Sequence, residues 1–465
     1  MAQAMGAQIQ GALPEAITGL SIDSRTIAPG DAYFSIKGDV HDGHDFVAAA
    51  LKAGAALAVV ERAQRDKFAP DAPLLVVDDV LAGLVELGIA SRARLNAHVI
   101  AITGSVGKTS TKDLIAALIA PHRTVAASRE NYNTEIGMPL EILRAPLGTE
   151  VLVLEAAMRG FGQIAELAAI CEPDVGVITN IGPVHLEQMG SLEGVAQAKA
   201  ELLAGLYDGA TAVVPSDEPL LEPWLREALE VVTFGPGGDV TFEGSSLRGG
   251  SVPDAVPSSH VIVAGGERIE LELPFDQAHN LMNTLAAVAA ARAVGVTPSG
   301  RLDVRFSGLR GERVLLGTGV TVVNDCYNAN PLSMRAALDD LTMQSPAGRR
   351  VAVLGDMLEL GPAEHEHHAE IGAYAAAAGV ELLIAVGPRS AAMLGRFGGE
   401  AHLAADAAEA AALAVALVEP GDVVLVKASR GVGLEVVAEA LAAGRRDEAG
   451  GSPAVGEAPD RSEAD

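Results

Sequence analysis

The chain has 465 residues, 49% of them hydrophobic, and a formal net charge of −28, which excludes a general nucleic-acid binder. That length accommodates about three domains, and the two cysteines, Cys171 and Cys326, are too few for a disulfide framework and fit a reducing cytoplasm. Met1–Met5 lacks the basic and apolar stretches of a signal peptide, and Asp406 and Glu409 interrupt the alanine-rich 404–418 segment, so the expectation is a cytoplasmic protein that is not membrane-embedded.

Read in chain order, an N-terminal unit runs to about residue 90. It carries Ser21-Ile22-Asp23-Ser24-Arg25, a Pro29-Gly30 turn, and an Asp42-Gly43-His44 loop before a helical Phe46–Ala53. The central unit opens on the apolar run Val99–Ile102, which ends in Thr103-Gly104-Ser105-Val106-Gly107-Lys108-Thr109-Ser110. Strand, glycine-bracketed turn and helix in that order suit a nucleoside triphosphate. The backbone N–H groups of Gly104 to Ser110 face the phosphates, Lys108 reaches their outer oxygens, and Thr109 can ligate Mg²⁺. The usual phosphate-loop pattern has a glycine where this chain has Ile102, so the loop is a tightened variant. Further apolar runs at Val151–Leu154, Val175–Thr179 and Ala212–Val214 alternate with helical sequence, which predicts a parallel sheet covered by helices. Residues 235–275 read as small antiparallel strands, among them Ile269–Leu273. A third unit begins near Arg310, with strands predicted at Val351–Leu354, Leu382–Val386 and Val423–Val426. Beyond Gly444 almost nothing is apolar, and 445–465 reads as a disordered acidic tail.

Glu155 ends one predicted strand, where doubly wound sheets place ligands, and Asn180 and His185 lie past the end of another. Hard Mg²⁺ prefers oxygen, so Glu155 is the natural ligand and His185 the less expected one. Taken singly, Glu155 is equally an exposed strand-end carboxylate and His185 a loop imidazole capped by a carbonyl. Lys199, in the helical Leu192–Leu206, reads by itself as an ordinary solvated lysine, and Arg25, Arg129 and Arg159 as surface arginines. The segment Asp325-Cys326-Tyr327-Asn328-Ala329-Asn330-Pro331 is either an Asx-rich turn before a helix starting near Pro331 or a nucleotide contact. His365, His367 and His368 sit among glutamates at a predicted helix start and read as a solvated polar face rather than a zinc site.

Taken together, these residues resemble the ATP-dependent Mur ligases of peptidoglycan synthesis. The likeness spans Ser21 to about Glu435. It rests on Thr103-Gly104 through Thr109, Glu155, His185, Lys199, Asn280 with Asn283, and Arg310. Three further segments point to the branch that adds a D-alanyl-D-alanine dipeptide: Asn131–Gly137, Asp325–Pro331 and Leu354–Gly361. The resemblance implies three α/β domains. A central P-loop-type, mostly parallel sheet domain (91–309) binds ATP. It is flanked by an N-terminal UDP-binding domain (1–90) and a C-terminal Rossmann-like domain (310–444) that receives the dipeptide. It also implies two Mg²⁺ ions, held by Thr109 and Glu155 and by His185 and a carbamylated Lys199. Asn280 and Asn283 would lie beside adenine, and Arg310 and Asp325 would reach ATP. Ser24, Arg25 and the Asp42-Gly43-His44 region would hold the UDP end of UDP-N-acetylmuramoyl-tripeptide, and Asn133, Thr134 and Arg159 would face its muramoyl-peptide. Tyr327, Asn328, Asn330 and Ser429 belong to the same expected substrate set, with Lys427-Ala428-Ser429-Arg430-Gly431 where the incoming dipeptide is received. Lys108, Glu155, His185, Lys199 and Arg310 would carry catalysis in a monomeric enzyme. Ala428 stands where relatives often have glycine, and Val432 or Gly433 where they differ. A single-amino-acid ligase of the same family, or a P-loop switch that ligates nothing, are the rival expectations.

Overall fold

A computed structural model describes residues 1–38, 40–129, 132–244, 258–308, 311–344 and 346–443. The expected boundary at 309/310, the expected tail, the motif residue Asn131 and the expected site residue Arg310 fall outside them. The chain divides into two compact units, Met1–Ser307 and a second beginning at Gly308.

The first unit holds two sheets. In the smaller, strands β1 (Gln8–Gln10), β2 (Gly19–Ser21), β3 (Asp31–Phe34), β4 (Leu57–Glu61) and β5 (Leu74–Val77) lie in the order β1-β5-β4-β3-β2. Its helices are α1 (Val47–Ala53) and α2 (Val80–Arg92). The helix expected from Phe46 starts at Val47, because Gly43–Phe46 forms a separate 3₁₀ turn capped by the Asp42 side chain. Arg92, in the last turn of α2, donates to the carbonyls of Cys171 (2.7 Å) and Glu172 (3.0 Å), which ties this sheet's helix to the larger layer.

The larger sheet comprises β6 (His98–Thr103), β7 (Val125–Ala127), β8 (Val151–Glu155), β9 (Val175–Ile178), β10 (Thr211–Pro215), β11 (Glu230–Phe234), β12 (Val240–Phe242), β13 (Ser258–Ala264), β14 (Glu267–Leu273) and β15 (Gly300–Arg301). Their order is β15-β14-β13-β12-β11-β10-β9-β6-β8-β7. Every pairing from β7 to β12 is parallel, and β12-β13-β14 is antiparallel. The helices between are α3 (Lys108–Ile119), α4 (Gly137–Arg144), α5 (Gln163–Cys171), α6 (Leu186–Met189), α7 (Leu192–Ala204) and α8 (Ala278–Ala293). Alternation within the strands builds two cores. Ile100 and Ile102 pack under α3 and α8 on one face, and Val99 and Ala101 against α5 and α7 on the other.

The second unit carries β16 (Glu312–Leu315), β17 (Thr321–Asn324), β18 (Arg350–Gly355), β19 (Leu382–Val386), β20 (Glu400–Ala404) and β21 (Val423–Lys427) in the order β16-β17-β21-β18-β19-β20, parallel except for β16. Helices α9 (Pro331–Met343), α10 (Glu364–Ala377), α11 (Ala391–Phe397), α12 (Ala407–Leu417) and α13 (Glu435–Ala443) cover its faces. The strand order doubles back at β17-β21-β18, which brings three loops together at their carboxyl ends.

Candidate functional site

In the first unit the site grows from the carboxyl ends of β6, β8 and β9. Gly104 and Gly107 allow its turn. Both have positive φ (151° and 82°), a Cβ on Gly104 would fall 1.9 Å from Thr179 Oγ1, and one on Gly107 would fall 2.5 Å from Asn283 Oδ1. Asn283, buried on α8, is therefore pressed against the loop itself, with Asn280 half-buried one turn earlier. The loop is held from β9's side. Asn180 accepts from Val106 N–H (3.0 Å) and donates to Val106 O (3.1 Å), Thr179 Oγ1 donates to the same carbonyl (2.6 Å), and Ser105 Oγ donates to Gly182 O (3.1 Å). Lys108 and Ser110 begin α3 half-buried, and Lys108 Nζ donates to Gly104 O at 2.9 Å.

Thr109 Oγ1 donates to Glu155 Oε2 at 2.7 Å, and both groups are buried. The other carboxylate oxygen of Glu155 accepts from Asn133 Nδ2 at 3.1 Å, and the Glu155 N–H donates to Ser128 Oγ. The hydroxyl, carboxylate and amide thus converge behind the phosphate turn. A hydroxyl and a carboxylate side by side are hard oxygen donors, the kind Mg²⁺ takes.

Lys199 departs from the sequence-based reading: its residue is only 2% exposed on α7. No acceptor among the described residues takes a hydrogen bond from its amine. Burial pushes its pKa well below the usual lysine range, and the neighbouring charge of Lys108 lowers it further. His185, half-buried, has a φ of 51° where β9's loop enters α6. The solvated-lysine expectation failed because α7 interleaves its charges with alanines, which carry no sign of which face is covered.

The remaining expected residues are spread more widely. Arg25 is exposed and pairs with Asp23 at 2.7 Å, and its hydrogen bonds hold the Asp23 carboxyl down to about 2; Ser24 beside it is half-buried. Thr134 and Arg159 are exposed, whereas Asn133 O accepts from Ala157 N–H at 2.9 Å. Arg129 is not an isolated surface arginine. It pairs with the buried Glu141 at 2.9 Å and, together with Arg144, stacks on Tyr132 at 5.0 Å.

In the second unit, Asp325 is bound by the buried Lys427, which the sequence reading placed in the dipeptide segment without a partner. Lys427 Nζ donates to Asp325 Oδ2 (2.5 Å), Asn328 O (2.9 Å) and Asp325 O (3.4 Å). Asn330 is the N-cap of α9 in a reciprocal capping box with Ser333, so its side chain is used by the helix, as the turn reading expected. Tyr327 is half-buried, and Asn328 caps the N–H of Ala329 at 2.8 Å. Ser429 is buried and donates to Ala329 O (3.3 Å) while accepting from Leu358 N–H (2.9 Å). Of the expected solvated histidine face, His365 is exposed and His367 half-buried, and the correction falls on His368 alone. His368 is fully buried, because α10 turns that residue inward onto the loop after β18.

Residues 102–291 match the model of the Mur ligase middle domain, 309–430 that of the Mur ligase glutamate ligase domain, and 16–90 that of the Mur ligase family catalytic domain. A relative from Bacillus subtilis, named UDP-N-acetylmuramoyl-tripeptide–D-alanyl-D-alanine ligase, is 34% identical over 443 residues, covering 91% of this chain and 93% of its own. A crystal structure of MurF from Acinetobacter baumannii superposes with a TM-score of 0.82 at 28% identity, over 95% of this chain and 97% of that one. MurF from Thermotoga maritima in complex with ADP gives 0.79 at 28% identity, over 92% and 98%. The chain belongs to the Mur ligase family. Among the described residues no helix is long and apolar enough to cross a membrane.

Proposed function

We propose that this member of the family is the ATP-dependent ligase that joins D-alanyl-D-alanine to UDP-N-acetylmuramoyl-tripeptide, forming the pentapeptide nucleotide of peptidoglycan synthesis in the cytoplasm. The observation that carries the reading is the Thr109–Glu155 pair, seated behind a phosphate turn, in a chain alike over nine-tenths of its length to relatives bearing that name.

A carboxylate of the tripeptide attacks the γ-phosphorus of ATP, giving an acyl phosphate and ADP. The dipeptide amine then attacks the acyl carbon, phosphate leaves with the C–O bond electrons, and the amine proton goes to solvent. Such chemistry needs positioning and charge neutralisation rather than a nucleophilic side chain. In this assignment Gly104 to Ser110 cradle the β- and γ-phosphates, with Lys108 as the positional cation. Asn280 and Asn283 flank the adenine, and Arg310 and Asp325 are assigned to ATP as well. Thr109 and Glu155 would hold one Mg²⁺, and His185 with a carbamylated Lys199 a second. When bound, these ions supply neutralisation of the oxygens between which the phosphoryl group moves. The Lys199 amine suits carbamylation: buried, without an acceptor among the described residues and shifted toward its neutral form, it can add CO₂, releasing a proton and becoming an anionic oxygen ligand. Ser24, Arg25 and residues 1–90 take the UDP end, Asn133, Thr134 and Arg159 the muramoyl-peptide, and 310–444 the dipeptide, with Tyr327, Asn328, Asn330 and Ser429 at its loops.

Phosphate release from ATP tests the assignment. With UDP-N-acetylmuramoyl-tripeptide present, D-alanyl-D-alanine should stimulate release and yield the pentapeptide nucleotide by mass spectrometry. Stimulation instead by D-glutamate or diaminopimelate, each with its own nucleotide acceptor, would move the protein to a sister activity.

A further inference from the structure

One buried titratable group has no part in that chemistry. His368 is 0% exposed on the inner face of α10, and its two ring nitrogens do different work. Nδ1 lies 2.6 Å from the carbonyl of Glu364, one helical turn back, and must carry the proton of that hydrogen bond. Nε2 lies 2.9 Å from the backbone nitrogen of Met357, so it accepts the Met357 N–H. Only the neutral Nδ1–H tautomer can do both.

Met357 belongs to the loop after β18, and that loop needs anchoring. Glu359 within it has a φ of 64°, a left-handed conformation costly for a residue with a Cβ. Among its anchors are three hydrogen bonds to Ser429 and His368. Leu358 N–H donates to Ser429 Oγ, Ser429 N–H to Asp356 O (3.1 Å), and Met357 N–H to His368. The first two bind the loop to Ser429, in the segment after β21 that the functional assignment gives to the dipeptide.

The charged groups around the ring leave little to stabilise an imidazolium. Asp356 already accepts from Ser390 N–H (2.7 Å) and Ser390 Oγ (2.6 Å) and lies 3.5 Å from Arg389, while Arg389 also pairs with Glu364 at 2.7 Å. Farther along α10, Glu366 is taken by Arg396 of α11 and Glu370 by Arg335 of α9.

We propose that His368 is a positioning residue for the dipeptide, fixing the 356–361 loop through the Met357 amide while its ring is neutral and releasing that loop when the ring is protonated. Protonation would turn Nε2 from acceptor to donor, leaving it facing the Met357 N–H with a hydrogen on each. Burial lowers the pKa of His368 below the ordinary 6.5, against smaller opposing effects of the Glu364 carbonyl and the nearby carboxylates. A lowered native value means that the released loop binds the proton more readily. The anchor is therefore intact above the ordinary value and fails progressively as pH falls below it.

The inference rests on the proposed ligase activity, and the test separates the two with His368→Gln and His368→Leu in the full chain. Glutamine can accept the Met357 N–H without titrating, and leucine cannot accept it. In the wild type, KM for D-alanyl-D-alanine should rise as pH falls below 6.5 while KM for ATP stays level. His368→Gln should flatten that acid limb. His368→Leu should raise the dipeptide KM about threefold to tenfold above pH 6.5, with the wild type approaching it as pH falls and ATP KM within twofold. An unchanged acid limb in His368→Gln overturns the proposal, as does an unaltered dipeptide KM in folded His368→Leu. If the wild type fails to use the dipeptide at all, the functional assignment falls, and hydrogen exchange decides the anchor by itself. The Met357 amide should lose protection on acidification in the wild type and keep it in His368→Gln. Equal behaviour of the two proteins would dismiss His368, including where His368→Leu does not fold.

Discussion

Two of the buried lysines, Lys199 in the first unit and Lys427 in the second, show how the same side chain is put to opposite uses. Lys199 and Lys427 are each only 2% exposed. Lys427 spends its three donors on Asp325 Oδ2, Asp325 O and Asn328 O, so its charge is matched where it lies and it pins the turn after β17 to the end of β21. Lys199 has no such acceptor among the described residues, and burial together with Lys108 drives it toward the neutral amine. A paired buried cation is architecture; an unpaired one is a reactive group awaiting a partner. The difference teaches that burial alone does not tell a structural lysine from a chemical one. The count of acceptors does.

The strongest break of this contrast lies beside Lys199. Lys108→Ala should lower turnover about 10³-fold or more with an unchanged circular dichroism spectrum, since the triphosphate loses its positional cation. Near-normal phosphate release from the folded variant would remove Lys108 from the site. Lys199→Ala should cost about 10²-fold or more in turnover, and acetate should partly restore it by supplying the missing carboxylate oxygens. Full wild-type activity in CO₂-depleted buffer, with no mass increment on Lys199, would count against carbamylation.

Stability sharpens the comparison from the other side. Lys427→Met leaves the half-buried Asp325 carboxylate without its partner and should lower the unfolding free energy of its unit by about 1.5–3 kcal/mol in denaturant titration. Lys199→Met breaks no pair and should leave stability level or raise it; similar losses in the two variants would erase the distinction. The smallest effect is expected at Asn330→Ala, which removes the N-cap of α9 and should cost about 1 kcal/mol. Turnover lost there without any loss of stability would make Asn330 a substrate contact instead of a cap.

Legibility follows sequence distance. The phosphate turn could be read directly, because Gly104, Gly107, Lys108 and Thr109 act within one strand-turn-helix. Glu155 could be read as a strand end, and Asn330 as a turn residue before Pro331. Lys427 could not, since its partner Asp325 is 102 positions away. His368 was misread because glutamates and other histidines surround it in the chain, whereas its ring points to Met357, 11 residues back across a loop. The small strands of 235–275 were anticipated as antiparallel, but their continuity with the parallel sheet through β11-β12 is a matter of register.

The sequence by itself determined the alternating α/β elements, the phosphate turn and the family, because these depend on periodicity and on residues close enough in the chain to share one turn. Only the tertiary structure decided which polar side chains are buried and what they face. Whether Lys199 carries its charge, whether Asp325 is neutralised by Lys427, and which nitrogen of His368 holds the proton depend on desolvation and on acceptors brought from distant segments, and neither exists until the sheets have formed.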